Sequence, residues 1–240
     1  MWKNYGMEAQ IYKLSREIYS LTYDFDSAKK YWENNRKQHQ VSGEEQNANY
    51  SWLALQIINI HSLYRGIYIK LSANNPNPKK YYDAWCDAEE IEIIASNIKR
   101  NFPVLYGTIE RIVSQIHILQ SIYPYQLFSS SEILIKEEKC SICGTVRSVF
   151  NPCGHIKGRL YNGELCCNIV TKCEVVGLAI VTNPVKKYAV LFQQDKYGKE
   201  VEYNYDYIYA LMYYWRNPYT FWNYYIIDNI IGKIIRFYAI

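Results

Sequence analysis

From Met7 onward the apolar residues Met7, Ile11, Leu14, Ile18, Leu21, Phe25, Ala28 and Trp32 recur in alternating steps of four and three. That spacing lays them along one stripe of a helix, and it predicts a single long amphipathic helix. The polar run from Asn34 to Asn49, broken by Ser42-Gly43, reads as a solvated loop. A second stripe, Leu53, Ile57, Ile60, Tyr64, Ile67 and Leu71, stops at Asn74-Asn-Pro-Asn-Pro78, because proline cannot continue a helix. A third carries Ala84, Ala88, Ile91, Ala95, Ile98 and Phe102 and ends before Pro103. A fourth carries Leu105, Ile109, Ile112, Ile116, Leu119 and Tyr123 and ends before Pro124. Four helices, each with one apolar seam, predict an antiparallel helical bundle over residues 5–125, with the seam residues as its core.

Past Phe128 the period changes. Ser129-Ser-Ser131 marks a boundary, after which Glu132–Lys136 alternates as a short strand. Asn162-Gly163 is a strong hairpin signal, Cys173 opens a strand over Val175–Val181 and reads as core, and Tyr188–Phe192 reads as another strand before a turn at Lys196-Tyr-Gly198. Aromatic density peaks between Tyr203 and Tyr225. From Ile226 the pairs Ile226-Ile227, Ile230-Ile231 and Ile234-Ile235, then Tyr238, recur every four residues opposite Asp228, Lys233 and Arg236. They predict an amphipathic helix that docks on an apolar surface; its charges exclude a membrane span. The expected fold class is α+β: a helical bundle (1–128), a metal-stabilised antiparallel β module (129–202) and an aromatic-rich helical C-terminal arm (203–240).

The chemistry concentrates at the start of the β module. Cys140-Ser-Ile-Cys143-Gly places two thiolates three residues apart on a tight turn, the form of a zinc knuckle. Cys153-Gly-His155 follows closely enough to complete a tetrahedral set, so Cys140, Cys143, Cys153 and His155 are the candidate ligands of one Zn2+. Cys166, just beyond the predicted hairpin, could take the place of His155; Cys167, next to it, would point to the other face of a strand. Four protein ligands close the coordination sphere, which makes the zinc structural, since catalytic zinc keeps a position open for water. The deaminase signature is missing as well, because Lys157 stands where a glutamate would follow the histidine.

Composition narrows the setting without fixing a partner. A net charge of +4 over 240 residues permits an anionic partner without demanding one. Six of the seven cysteines lie between Cys140 and Cys173, and Met1-Trp-Lys-Asn-Tyr5 lacks the apolar core of a secretory leader. Both point to metal binding in a reducing, cytoplasmic compartment. Cys86, inside a helical pattern, reads as a buried structural thiol. The 26 tyrosines suit either an AT-rich coding sequence or an amphipathic interaction surface.

Several patterns resemble known families. Arg111 and His117 resemble the Arg-and-His pair of HEPN-type ribonucleases, although six residues on one helix turn the two side chains about 240° apart. The Cys-x-x-Cys, His155 and Leu165-Cys-Cys-Asn168 pattern resembles a zinc-bearing HNH endonuclease, which implies His155 as general base, with Gly154 where an acidic residue is usual. His155-Ile-x-Gly158, Tyr161-x-Gly163 and Leu178-Ala-Ile-Val-Thr-Asn-Pro184 are similar to segments of phage and prophage zinc-knuckle proteins and to the terminal strand of prohead-protease domains. That resemblance implies a phage-related context and a β framework, not protease activity. The leading expectation is a non-enzymatic zinc protein that acts through a protein partner or a homo-oligomer. Its alternatives are a nuclease and a nucleic-acid binder using Arg147, Lys157, Arg159, Lys172, Lys186 and Lys187 on phosphates, with Phe150 stacking on bases.

Overall fold

The computed structural model describes residues 4–19, 23–72, 77–148, 150, 152–199 and 201–214. Helices come first and strands after them, as the α+β expectation requires. The amphipathic helix expected from Ile226 lies outside the described residues.

The single N-terminal helix of the sequence reading is two. Helix α1 spans Asn4–Glu17 and α2 spans Phe25–Val41. The break is enforced by Asp24, whose Oδ1 accepts hydrogen bonds from the backbone N–H groups of Asp26 and Ser27 and so caps a new helix. The expected polar loop is also corrected, because α2 runs through it to Val41 and leaves only Ser42, Gly43 and Glu44 as a connection. Its Glu, Lys, Arg and Gln residues are good helix formers on a solvated face, and an apolar period cannot report them.

Helix α3 spans Glu45–Leu71 and is the centre of the molecule. Rather than a single seam it buries side chains almost all round, including Tyr50, Leu53, Ile57, Ile58, Ile60, Tyr64 and Ile67. That is the pattern of a helix surrounded by others, and α1, α2 and α4 (Pro78–Asn101) all pack on it. Asn77 caps α4 through its side chain, with Pro78 at the first position. The fourth predicted helix divides into a 3-10 turn, Leu105–Thr108, and α5, Glu110–Ser121.

Strand β1 covers Phe128–Cys140 and pairs antiparallel with β4, Asn168–Val181, from Phe128↔Val181 to Cys140↔Asn168. The serines 129–131 lie within this strand. Between its ends sits a small hairpin, β2 (Leu160–Tyr161) and β3 (Glu164–Leu165), turned by Asn162 at φ 47° and Gly163 at φ 75°. Two consecutive positive φ values are what a type I′ turn demands. The expected strand at Tyr188–Phe192 forms no ladder. It makes one bridge, Phe128↔Val190, flanked by Ser129 N–H to Ala189 O and Leu191 N–H to Leu127 O, because β1 has already turned away to pair with β4.

The β1–β4 ribbon is held at its two ends and exposed between them. At its base Phe128 is buried against Trp85, ring centroids 6.2 Å apart, within a cluster that includes Tyr81, Tyr82, Tyr123, Tyr125, Phe192, Tyr203 and Tyr205. Many of the abundant tyrosines therefore act as packing, and burial raises the hydroxyl pKa of Tyr123 and Tyr125. The short helix α6, Asp206–Tyr214, adds Ile208 and Met212 to the same core. Along the ribbon every residue from Ser130 to Lys136 is exposed, and so is Cys173, which the sequence reading assigned to the core. A two-stranded ribbon has no interior in which to bury it.

Candidate metal centre

The knuckle is built by the end of β1. Cys140 O accepts from Gly144 N–H at 2.9 Å and Cys140 N–H donates to Thr145 O at 3.0 Å, closing a tight turn in which Gly144 takes φ 71°. Ser141 N–H to Cys167 O then ties this turn to the start of β4. The second arm, Cys153-Gly154-His155, is fixed by Arg147, whose Nη2 donates to His155 O at 2.9 Å, and by Tyr161, whose ring meets the His155 ring edge-on at 4.6 Å.

These two arms bring one ligand atom each from Cys140, Cys143, Cys153 and His155 to within 4.8 Å of one another. Thiolates around a tetrahedral zinc-sized ion sit about 3.8 Å apart, so closure onto an ion requires contraction of roughly 1 Å at most. Nδ1 of His155 is buried with no hydrogen-bond partner among the described residues. A buried orphan acceptor beside three thiols is the chemistry of a ring nitrogen available to a metal. The four residues can therefore hold a metal ion.

The electrostatics favour thiolate at Cys140, whereas burial raises the pKa of Cys153. Desolvation opposes ionisation of Cys140, but the backbone N–H groups of Cys143 and Ile142 and the Arg147 guanidinium outweigh it and bring the thiol down to about 5. Arg147 is raised in turn, chiefly by its hydrogen bond to Cys140. Three thiolates and a neutral imidazole around a divalent ion carry a net charge of −1, and Arg147 supplies the compensating positive charge. Cys166, the alternative fourth ligand, is fully buried with its Sγ 3.8 Å from Cys140 Sγ and 3.2 Å from Arg147 Nη2. It flanks the four-donor cluster, and burial raises its pKa.

The cluster is docked on the helices through backbone groups, and on the helix side by residues that sequence reasoning did not single out. Asn101, the last residue of α4, donates from Nδ2 to Gly158 O at 2.9 Å and accepts from Leu160 N–H at 3.1 Å. Arg159 Nη1 donates to Arg100 O. The hairpin tip is seated against α2 and α3, where Gly163 N–H donates to Asn49 Oδ1 at 2.6 Å and Gly163 O accepts from Arg36 Nη1 at 3.1 Å. A Cβ on Gly163 would stand 3.0 Å from Ala48 O on a left-handed backbone, so any larger residue strains the turn and crowds α3. Nothing periodic marks Arg36, Asn49 or Asn101, and no local signal could have found them.

The basic residues proposed for phosphate binding are placed at four separate locations. Arg147 turns inward to the sulfurs, while Lys157 and Arg159 lie beside the α4 C-terminus. Lys172 is mid-ribbon and paired with Glu137 at 2.8 Å. Lys186 and Lys187 lie near the ribbon base, the first 6.0 Å from the Tyr188 ring centre and the second bonded to Glu92 and Gln120. Phe150 is fully exposed. Helix α5 is unbroken from Glu110 to Ser121, so Arg111 and His117 point to different sides, and His117 Nε2 instead meets Glu92 Oε1 at 3.1 Å. Cys86 is a half-buried free thiol whose pKa is raised by burial. No helix among the described residues is long and apolar enough to cross a membrane.

No family model matches the chain, and neither a curated protein nor a solved structure matches it.

Proposed function

We propose that the chain is a non-enzymatic interaction protein in which a structural zinc ion, held by Cys140, Cys143, Cys153 and His155, fastens the far end of an exposed β-ribbon to a helical bundle. The observation that carries this reading is the pairing of a four-donor cluster at one end of β1 with an apolar face along its middle. Opposed residues share a face. From Phe128↔Val181 the register therefore places Ile133, Ile135, Cys173, Val175, Leu178 and Ile180 together, on the face opposite to Phe128. Val175, Leu178 and Ile180 are 76%, 72% and 68% exposed. The other face carries Leu134 and the paired charges Glu137–Lys172 and Lys136–Glu174.

An apolar strip of this kind on the outside of a folded chain marks a surface that meets another molecule. An isolated two-stranded ribbon is marginal in water, and the clasp supplies what the ribbon lacks at the end remote from Phe128. Zinc fits the donor set because soft thiolates with one imidazole suit a tetrahedral d10 ion. The phage-type resemblance of residues 155–184 adds a mobile-element setting to this reading on sequence alone.

Hydrogen exchange of the loaded and chelated protein tests the arrangement. Removing the metal is expected to abolish protection of the β1 and β4 amides near Cys140 and Asn168 while α3 and α4 keep theirs. Unchanged exchange in the ribbon would show that the cysteines do not clasp it.

A further inference from the structure

We propose that β4 pairs edge to edge with β4 of a second copy of this chain, antiparallel about a two-fold axis at Cys173, to make a four-stranded sheet. The proposal rests on the ribbon being the interaction surface and names its occupant.

The two edges of the ribbon differ. The β1 edge carries Glu132, Lys136, Glu137, Glu138 and Lys139, has Lys136 as an extra unpaired residue, and is covered at its base by Val190. Charges, a bulge and a covering segment are the means by which edges are kept from pairing. The β4 edge carries only two charges, Lys172 and Glu174, within a run of β-branched and apolar residues from Ile169 to Val181, and no other described strand pairs with it. Its own extra residues, Thr171 and Val176, bracket an unbroken stretch from Lys172 to Val175.

That stretch is complementary to itself. In an antiparallel pair centred on Cys173, Lys172 lies opposite the second copy's Glu174, and Glu174 opposite its Lys172. Thr171 meets Val175, and Cys173 meets Cys173. Both charges of the edge are thus matched by the symmetry of one two-fold axis, as an isologous interface requires. A strand centred one residue either way would lose this match and oppose like charges or leave them against apolar side chains. Both charged pairs fall on the polar face, where the Thr171 hydroxyl also donates to Glu137 Oε1 at 2.6 Å, and the Cys173–Cys173 pair falls on the apolar one. Adding two strands also takes the ribbon past the three-strand threshold at which a sheet with an apolar face becomes stable.

Opposed Cα atoms in such a pair lie about 4.5–5.5 Å apart, within disulfide reach. Treatment of the zinc-loaded full chain with a short bis-maleimide is therefore expected to give a covalent dimer that Cys173→Ser abolishes. In sedimentation equilibrium the chain is expected to dimerise, and Cys173→Lys, which opposes two ammonium groups on the axis at an exposed position, should weaken the dimer at least about tenfold. Lys172→Glu should weaken it in the same sense. A zinc-loaded chain that stays monomeric at every accessible concentration overturns the proposal, and so does a dimer equally strong in both variants. A chain that carries no metal instead overturns the clasp reading, whatever its oligomeric state.

Discussion

Asn101 and Gly158 join the helical bundle to the metal centre: the Asn101 amide at the end of α4 donates to the Gly158 carbonyl at 2.9 Å, and its oxygen accepts from Leu160 N–H at 3.1 Å. One side chain thus satisfies two backbone groups of the segment that carries Cys166, whose own N–H and C=O bond to Arg159 and Gly158. Asn101→Ala leaves both groups unpaired in a half-buried site and is expected to cost about 1–2 kcal/mol. The local signature is faster exchange of the Gly158 and Cys166 amides with the amides of α3 unaffected. Equal exchange rates in the variant would mean that Asn101 does not anchor the clasp.

Gly163 and Gly144 share a left-handed backbone, at φ 75° and 71°, but differ in surroundings. A methyl group on Gly144 meets open space, whereas one on Gly163 meets Ala48 O at 3.0 Å and the Arg36 side chain at 3.1 Å. Gly144→Ala should lose about 1–2 kcal/mol from backbone strain alone. Gly163→Ala should lose more, because the hairpin tip must also withdraw from α2 and α3. Urea midpoints compare the two directly, and equal losses would contradict the seating of the tip.

His61 lies in α3 with no exposed surface and, among the described residues, no hydrogen-bond partner for either ring nitrogen, packed edge-on against Tyr19 at 4.9 Å. Desolvation lowers its pKa to about 3. The folded state therefore keeps a neutral ring over a pH range in which the unfolded chain, near the ordinary value of 6.5, binds a proton. Its contribution is fully present above that ordinary value and is lost as pH falls toward the folded pKa, by up to about 1.4 kcal/mol per pH unit. His61→Leu removes the linkage. Stability curves of variant and parent should run parallel above neutrality and diverge below it, with the variant gaining relative to the parent. Parallel curves throughout the acid range would contradict a neutral buried His61.

What could be read from the sequence follows the range of the interactions involved. The stripes through Ile57, Ile60, Ile67, Ile91 and Ile98 were legible because burial repeats at helical period, and all five are fully buried. The four donors were legible because metal ligands cluster in short segments, and the Asn162-Gly163 turn because its φ values select its residues. The second half of helix α2 was not, since a solvated helix of Glu, Lys and Gln has no apolar period beyond Trp32. The length of β1 was hidden for the same reason, as Ser129–Ser131 have neither strand propensity nor burial and are ordered by the pairing of Phe128 with Val181. The seating of Gly163 on Asn49 joins residues 114 positions apart, a contact that only the folded chain displays.

The metal content of the purified protein bears most directly on the clasp. Elemental analysis is expected to return about one zinc per chain. Cys153→Ser should lose it, whereas Cys173→Ser, altered at an exposed thiol outside the cluster, should keep it. A folded chain that contains no zinc and takes none up would contradict the assignment, as would a Cys153→Ser variant that retains its full zinc content.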